Sequence, residues 1–260
     1  MRSALFFIAY STALFAQAQT RALKPSLPYT VRSTDNLSKF VREMLTSPRA
    51  WSKVAKYNQI KDPDLIFPGQ KLDLPLRFPK SKPASGKVIS AEGEVTLGGN
   101  AMQPSAAVAD SVKTKTGANS SVVIELGDGG CVKILPNSLA EVVTNRDYAM
   151  RDSSKSRSTK WFSGLMLLTE GALEALASKT ARRAKELQIE TPTSLVGVRG
   201  TEFRVAFDDP LGKAARTEVI EGKVRADNPA QQSGADLSMG TGAVVKPAGK
   251  EQASRRASHG

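Results

Sequence analysis

Imidazole and thiolate chemistry is almost closed to this chain, whose 260 residues include one cysteine, Cys131, and one histidine, His259. Ser-His-Asp and Cys-His systems need an imidazole held against the nucleophile. Zinc hydrolases usually need two or more histidine ligands. His259 lies in a terminal stretch that is not expected to be ordered. What remains is carboxylate chemistry. Composition does not forbid glycoside cleavage by paired carboxylates, but no motif among the 25 Asp and Glu residues supports it. No catalytic residue, metal or cofactor is assigned, and the chain is expected to be non-enzymatic. A single cysteine also forbids an intrachain disulfide. Cys131, at the start of an apolar run, is expected to pack as a small hydrophobe.

The charge balance points to a polyanionic setting. Lys and Arg number 37, for a net charge of +12 and a pI near 9.9. In a cytoplasmic protein that would suggest nucleic acid. The N-terminus argues otherwise. Met1 and Arg2 lead into an apolar run, Ala4 to Phe15, followed by Ala16-Gln17-Ala18, a small-x-small cleavage pattern. Residues 1–18 read as a signal peptide, and no later apolar run approaches the ~20 residues of a membrane span. The expectation is an exported, periplasmic, cell-wall-associated protein with no nucleic-acid partner. Its available polyanions are wall carboxylates and envelope phosphates. The basic stretches 146–160, 179–185 and 246–256 read as solvated loops whose attraction to such polymers falls with salt.

Positioning elements come next. Tyr29-Thr30-Val31 is a strand start. Asp35 or Asn36 can cap a helix with apolar positions Leu37, Phe40, Val41, Met44 and Leu45 on one face. Ser47 and Pro48 can open a second helix through Trp51, Val54 and Ala55, ending at Asn58. The turns Asp62-Pro63-Asp64 and Pro68-Gly69 precede the alternating strand Lys71-Leu72-Asp73-Leu74.

Tyr29-x-Val31, Asp35-x-Leu37, Trp51, Asn58, Asp62-Pro63 and Ile66-x-Pro68-Gly69-Gln70-x-Leu72-x-x-Pro75 resemble a LysM domain, placed at residues 26–77. The resemblance implies an α+β module of order β-α-α-β. Its implied ligand is the N-acetylglucosamine-containing glycan of peptidoglycan. It also implies a shallow groove between two loops, Thr34, Asp35, Asn36 and Leu37 on one side and Asp64, Leu65, Ile66, Phe67, Pro68, Gly69 and Gln70 on the other. Backbone amides there would bond the N-acetyl groups. Thr34 stands where the family commonly has glycine. Residues 78–85, with Pro79, Pro83, Lys80 and Lys82, read as a stiff basic linker that proteases would cut.

From Gly86 to Gly249, short β-branched runs alternate with Gly, Asn and Asp turns, the pattern of an all-β antiparallel sandwich or barrel-like domain. Strands are expected at Val88-Ile89, Glu94–Leu97, Ser121–Leu126, Val132–Leu135, Glu141–Val143, Leu165–Leu168, Leu187–Glu190 and Glu202–Val205, with a hairpin over Glu218–Val224. Residues 170–186 fit either a helix or a hairpin with a basic loop, and 250–260 read as a basic disordered tail.

Gly93-x-Val95, Thr116-Gly117, Leu126-x-Asp128-Gly129, Leu135-Pro136-Asn137-Ser138, Glu170-Gly171, Thr191-Pro192, Val198-Arg199-Gly200-Thr201-x-Phe203 and Glu221-Gly222-x-Val224 together resemble the FecR domain. In this motif Gly200 is expected in a conformation other residues resist, with Arg199 pairing a carboxylate or capping carbonyls. The set reads as a corner or a docking edge. FecR itself is a regulator that passes an envelope signal to a sigma factor, with a cytoplasmic segment ahead of a membrane span. A signal peptide in that place makes direct sigma control unexpected. The leading expectation is a wall-bound scaffold presenting its β domain to an unknown envelope protein or polysaccharide. The alternatives are an envelope signalling component and, further off, a carboxylate-based wall enzyme.

Overall fold

A computed structural model describes residues 26–103, 105–151, 158–178, 187–198, 200–208 and 213–247. The chain divides into two compact units, Met1–Lys80 with Met150–Ser158, and Ser81–Ala149 with Thr159–Gly260. The expected signal peptide, the tail 250–260, the basic cluster 179–185 and Arg199 fall outside the described residues.

In the first unit, β1 (Ser26–Thr30) is followed by α1 (Leu37–Met44), α2 (Ala50–Tyr57) and β2 (Lys71–Pro75). The two strands pair antiparallel, with Ser26 opposite Pro75 and Thr30 opposite Lys71. Of the two candidate caps for α1, Asn36 serves: its Oδ1 accepts from the Lys39 N–H at 2.9 Å. The second helix starts later than Ser47 and Pro48 suggested. Those residues form a turn instead, with the N–H groups of Ala50 and Trp51 bonded to the carbonyls of Ser47 and Pro48. Leu27, Phe40, Val54, Leu72 and Leu74 are buried. The Phe40 ring centroid lies 5.0 Å from that of Tyr29 and 5.7 Å from that of Trp51, the latter edge-on. Asn58 locks the helix end to the sheet, because its amide donates to the Asp73 carbonyl at 2.8 Å and accepts the Asp73 N–H at 2.7 Å.

The expected linker is largely structured. Phe78 is buried and Lys80 donates its N–H to Met44 within the first unit. Ser81–Pro83 forms β3 of the second unit, and Ala84 is buried there. Proline suits the edge of a sheet, where a missing N–H costs nothing, so a Pro-rich stretch that reads as a spacer can pair as a strand. Limited trypsinolysis is therefore expected to spare the Lys80–Ser81 bond while cutting elsewhere first. A dominant fragment starting at Ser81 would contradict this.

The second unit continues with β4 (Gly86–Glu92), β5 (Val95–Leu97), β6 (Asn100–Ala101), β7 (Ala107–Val108), β8 (Val112–Thr116), β9 (Ser121–Glu125) and β10 (Cys131–Ile134). Two long strands follow, β11 (Leu139–Arg151) and β12 (Ser158–Leu176). After them come β13 (Leu187–Glu190), β14 (Leu195–Val198), β15 (Glu202–Asp208), β16 (Ala214–Glu221), β17 (Lys223–Asn228), β18 (Ser233–Ser238) and β19 (Gly242–Val245). One sheet runs β7-β4-β9-β10-β12-β15-β16-β19. The other runs β6-β5-β8-β11-β12-β13-β14-β17-β18, with β3 also on β11. Among the ladders whose register the described residues give, β12 with β13 alone is parallel. The expected all-β, mostly antiparallel, barrel-like architecture is therefore present.

The long strand β12 belongs to both sheets. Leu165–Leu167 pairs with β13, whereas Gly171–Leu176 pairs with β15. This resolves part of the open stretch 170–186 as strand. Ile124, Ile134, Met166, Leu173 and Phe203 alternate inward and are fully buried. The basic stretch from Arg146 is not all loop either. Arg146 lies on β11, where its guanidinium bonds the Asp110 carboxylate and, at 2.9 Å, Ser81 Oγ.

Candidate functional site

The two LysM-like loops leave the same end of the β1–β2 ribbon, because the ladder extends one step past it. Val31 donates its N–H to Gln70 at 2.9 Å, and Gly69 returns one to Val31 at 2.7 Å. Gly69 adopts φ +84°, the left-handed region that makes this turn back into β2. Several loop amides are committed to holding the loops. Asp35 bonds Arg32, Leu65 and Asp64 bond Asp62, Gln70 bonds Phe67, and the Phe67 N–H goes to the Gln70 side chain at 3.0 Å. The Trp51 indole anchors the second loop by donating to the Pro63 carbonyl at 2.6 Å. Sequence reading recognised Trp51 but not this bond, which spans twelve positions and has no local signature.

What is left to face a ligand is specific. The first N–H groups of a helix have no partner within it, and at α1 that of Lys39 is capped by Asn36. On the second loop, Phe67 is 60% and Leu65 49% exposed. Thr34, Asn36, Asp64, Pro68 and Gly69 are exposed too, while Asp35, Leu37, Ile66 and Gln70 are half-buried. Beside the loops, an open groove of about 520 Å³ lies between α1 and α2, lined by Leu37, Val41, Leu45 and Trp51 among others.

Asp35 serves the loop's shape. Its carboxylate accepts from the Tyr29 hydroxyl at 2.5 Å and the Arg32 N–H at 2.9 Å. Burial first, then the Asp35 bond, push the Tyr29 phenol well above its ordinary value. A raised folded pKa means the contribution is fully present below about pH 10 and is lost as pH rises, since the unfolded phenol ionises first. The urea midpoint of the first unit is thus expected to fall through the alkaline range, and to fall less in Tyr29→Phe. An equal slope in both proteins would refute the assignment.

In the second unit, the described motif residues build corners. Thr191 is buried, donates to the Ser194 carbonyl at 3.1 Å and accepts the Ser194 N–H at 2.9 Å. Pro192 is exposed on that turn. Gly200 has φ +62°, in the left-handed region. Thr201, 1% exposed, donates to the Lys223 carbonyl at 3.0 Å and packs on Gly222, where a Cβ would stand 2.9 Å from its Oγ1. Two motifs far apart in sequence are thus halves of one contact. Val198 and Phe203 are core residues. Cys131 is partly exposed; burial first, then Glu125 and Asp128, raise its thiol pKa, which keeps it protonated and a weak nucleophile. Among the described residues, no cluster of His, Cys, Asp or Glu could hold a metal ion.

The sequence model of the LysM domain matches residues 29–75, over the strands, helices and loops just described, and that of the FecR protein family matches 112–225. The chain carries a LysM domain and a FecR domain. A stretch of 47 residues is 47% identical to an uncharacterized protein of Deinococcus radiodurans, covering 18% of this chain and 19% of that one. Two solved structures of a "putative anti-sigma factor" from Parabacteroides distasonis are 18% and 17% identical, each with a TM-score of 0.38 over 52% of this chain and 54% of theirs. The chain thus spans about a fifth of the Deinococcus protein and about half of the solved ones. A likeness at that TM-score carries no functional weight. LysM and FecR are non-catalytic domains typical of envelope proteins. No helix among the described residues is long and apolar enough to cross a membrane.

Proposed function

We propose that this is a non-catalytic, exported protein that grips peptidoglycan glycan through its LysM domain and presents its FecR domain to another envelope component. The observation that carries the first half is the exposure of Phe67 and Leu65 on a loop tied down by Trp51 and Gln70. Large apolar side chains held in water on a loop braced from three sides mark a binding surface rather than a packing remnant. An N-acetylglucosamine ring offers an apolar face for Phe67 and an acetamide carbonyl that accepts from an N–H. The sugar therefore needs no charged or metal group from the protein. Calorimetric titration of the full chain with soluble N-acetylglucosamine oligomers tests this, with cellulose oligomers as the control. Binding of the former alone supports the reading, and binding of neither or of both alike rejects it.

The match of 112–225 to the FecR family favours a second reading for the other domain, a periplasmic component of an envelope signalling system. The two readings share the LysM anchor and differ in whether the FecR domain's partner is a sensor.

A further inference from the structure

The β18–β19 hairpin is split between the two sheets. β18 pairs with β17 in one sheet and β19 with β16 in the other, and among the described residues no register joins β18 to β19. Between them lies an open groove of about 430 Å³, lined by Ala226, Ser233, Gly234 and Ala235 on one wall and Ala243 to Lys246 on the other.

Register shows which backbone groups face this groove. Val219 donates its N–H to Thr241 at 3.0 Å, so in an antiparallel ladder the next hydrogen-bonded pairs are Thr217 with Ala243 and Ala215 with Val245. The last is completed through Thr193, whose hydroxyl accepts the Ala215 N–H at 3.2 Å and donates to the Val245 carbonyl at 3.1 Å. Arg216 with Val244 and Glu218 with Gly242 are then the non-hydrogen-bonded pairs. The N–H and C=O of Gly242 and Val244 therefore point away from β16, and Val244 lines the groove.

Nothing on β19 guards this edge. Gly242-Ala243-Val244-Val245 holds no charge and no proline and its register with β16 is unbroken; the usual protections of a free edge stand only at its ends, where Val219 faces both Gly240 and Thr241 and where Lys246-Pro247 follows. Val244 is 51% exposed, and Ala243 and Val245 are only partly covered against the core.

We propose that β19 is a docking edge for an extended, acidic and apolar segment of another protein, which adds a strand to Gly242–Val245. This rests on the reading that the FecR domain receives a partner and names where. Strand addition takes affinity from the main chain and specificity from alternate side chains. Here one face of the incoming strand covers Ala243 and Val245, opposite a wall in which Ala226, Gly234 and Ala235 are small and Asn228 and Gln231 are polar. Charge selects the occupant. Lys246 stands at the mouth of the groove, and a second copy of a chain of net charge +12 would be repelled, whereas an acidic segment is drawn in.

The test uses the full chain and a blocked peptide alternating valine with glutamate, with its lysine-for-glutamate counterpart as control. Amide hydrogen exchange is read at Gly242 and Val244 with and without peptide. The acidic peptide is expected to bind, to protect those two amides, and to bind about tenfold more weakly to Val244→Pro, which removes an outward N–H that the native ladder does not use. Should Val244→Pro misfold, Val244→Lys places a charge on the edge and is expected to weaken binding likewise. The proposal fails if the peptide does not bind, if protection appears elsewhere, if both peptides bind alike, or if the free chain dimerises and buries this edge itself. Loss of peptide docking with N-acetylglucosamine binding intact would overturn this inference and leave the LysM reading standing.

Discussion

Gly171→Ala is expected to destabilise the FecR domain by about 3 kcal/mol, a large share of the ~5–15 kcal/mol that holds a domain folded. Gly171 sits where β12 leaves one sheet for the other, at φ +80°. A Cβ there would stand 2.2 Å from Ser138 Oγ and 2.6 Å from the Asn137 carbonyl oxygen. The hydroxyl cannot swing away freely, since it accepts the Ala172 N–H at 2.9 Å and donates to the Pro136 or Ala172 carbonyl at 3.1 Å. Left-handed strain costs roughly 1–3 kcal/mol and the clash a similar amount. Urea unfolding followed through the β domain measures the loss. A change below about 0.5 kcal/mol, the scale of an inert surface substitution, would show that the strand crossing is not fixed here.

Phe67→Ala is expected to weaken binding of N-acetylglucosamine oligomers about tenfold and to leave stability almost unchanged. The ring is 60% exposed, so it adds little to the fold, and the N–H of residue 67 keeps its bond to Gln70 whatever the side chain. Covering the exposed part of a phenylalanine against a sugar face is worth about 1.5 kcal/mol, or about tenfold in affinity. Titration calorimetry of the two proteins decides it. Equal affinities would remove Phe67 from the site and with it the main structural reason for placing glycan on this loop.

The LysM half was the more legible in sequence because its determinants are local. Helical spacing of Leu37, Phe40, Val41 and Met44, a capping Asn36 and the Pro68-Gly69 turn each act within a few residues. The start of α2 was misplaced because Ser47 and Pro48 satisfy a helix start and a tight turn equally well. In the FecR half, alternation in Ser121–Glu125 and Cys131–Ile134 announced strands that the structure contains.

Strand β18 was not legible, since Ser-Gly-Ala-Asp-Leu-Ser has no alternating apolar face and pairs only because β17 offers it a ladder. Nor was β3, since Pro83 and the neighbouring Pro79 read as a spacer. The Thr201–Gly222 contact and the Arg146–Asp110 pair join residues 21 and 36 positions apart, so the motifs were visible while their meeting was not. The free edge of β19 depends on which strands fail to pair, a property of the whole sheet that no segment carries alone.

Co-sedimentation of the full chain with purified peptidoglycan sacculi at low and high salt, beside the double variant Leu65→Ala, Phe67→Ala, tests glycan recognition most directly. Net charge alone would pellet both proteins at low salt and neither at high salt, because screening shortens the reach of exposed charges to about 3 Å near 1 M. With glycan recognition by these loops, the natural chain still pellets at high salt and the double variant does not. Pelleting lost at high salt in both, or retained in both, would contradict glycan recognition by these loops.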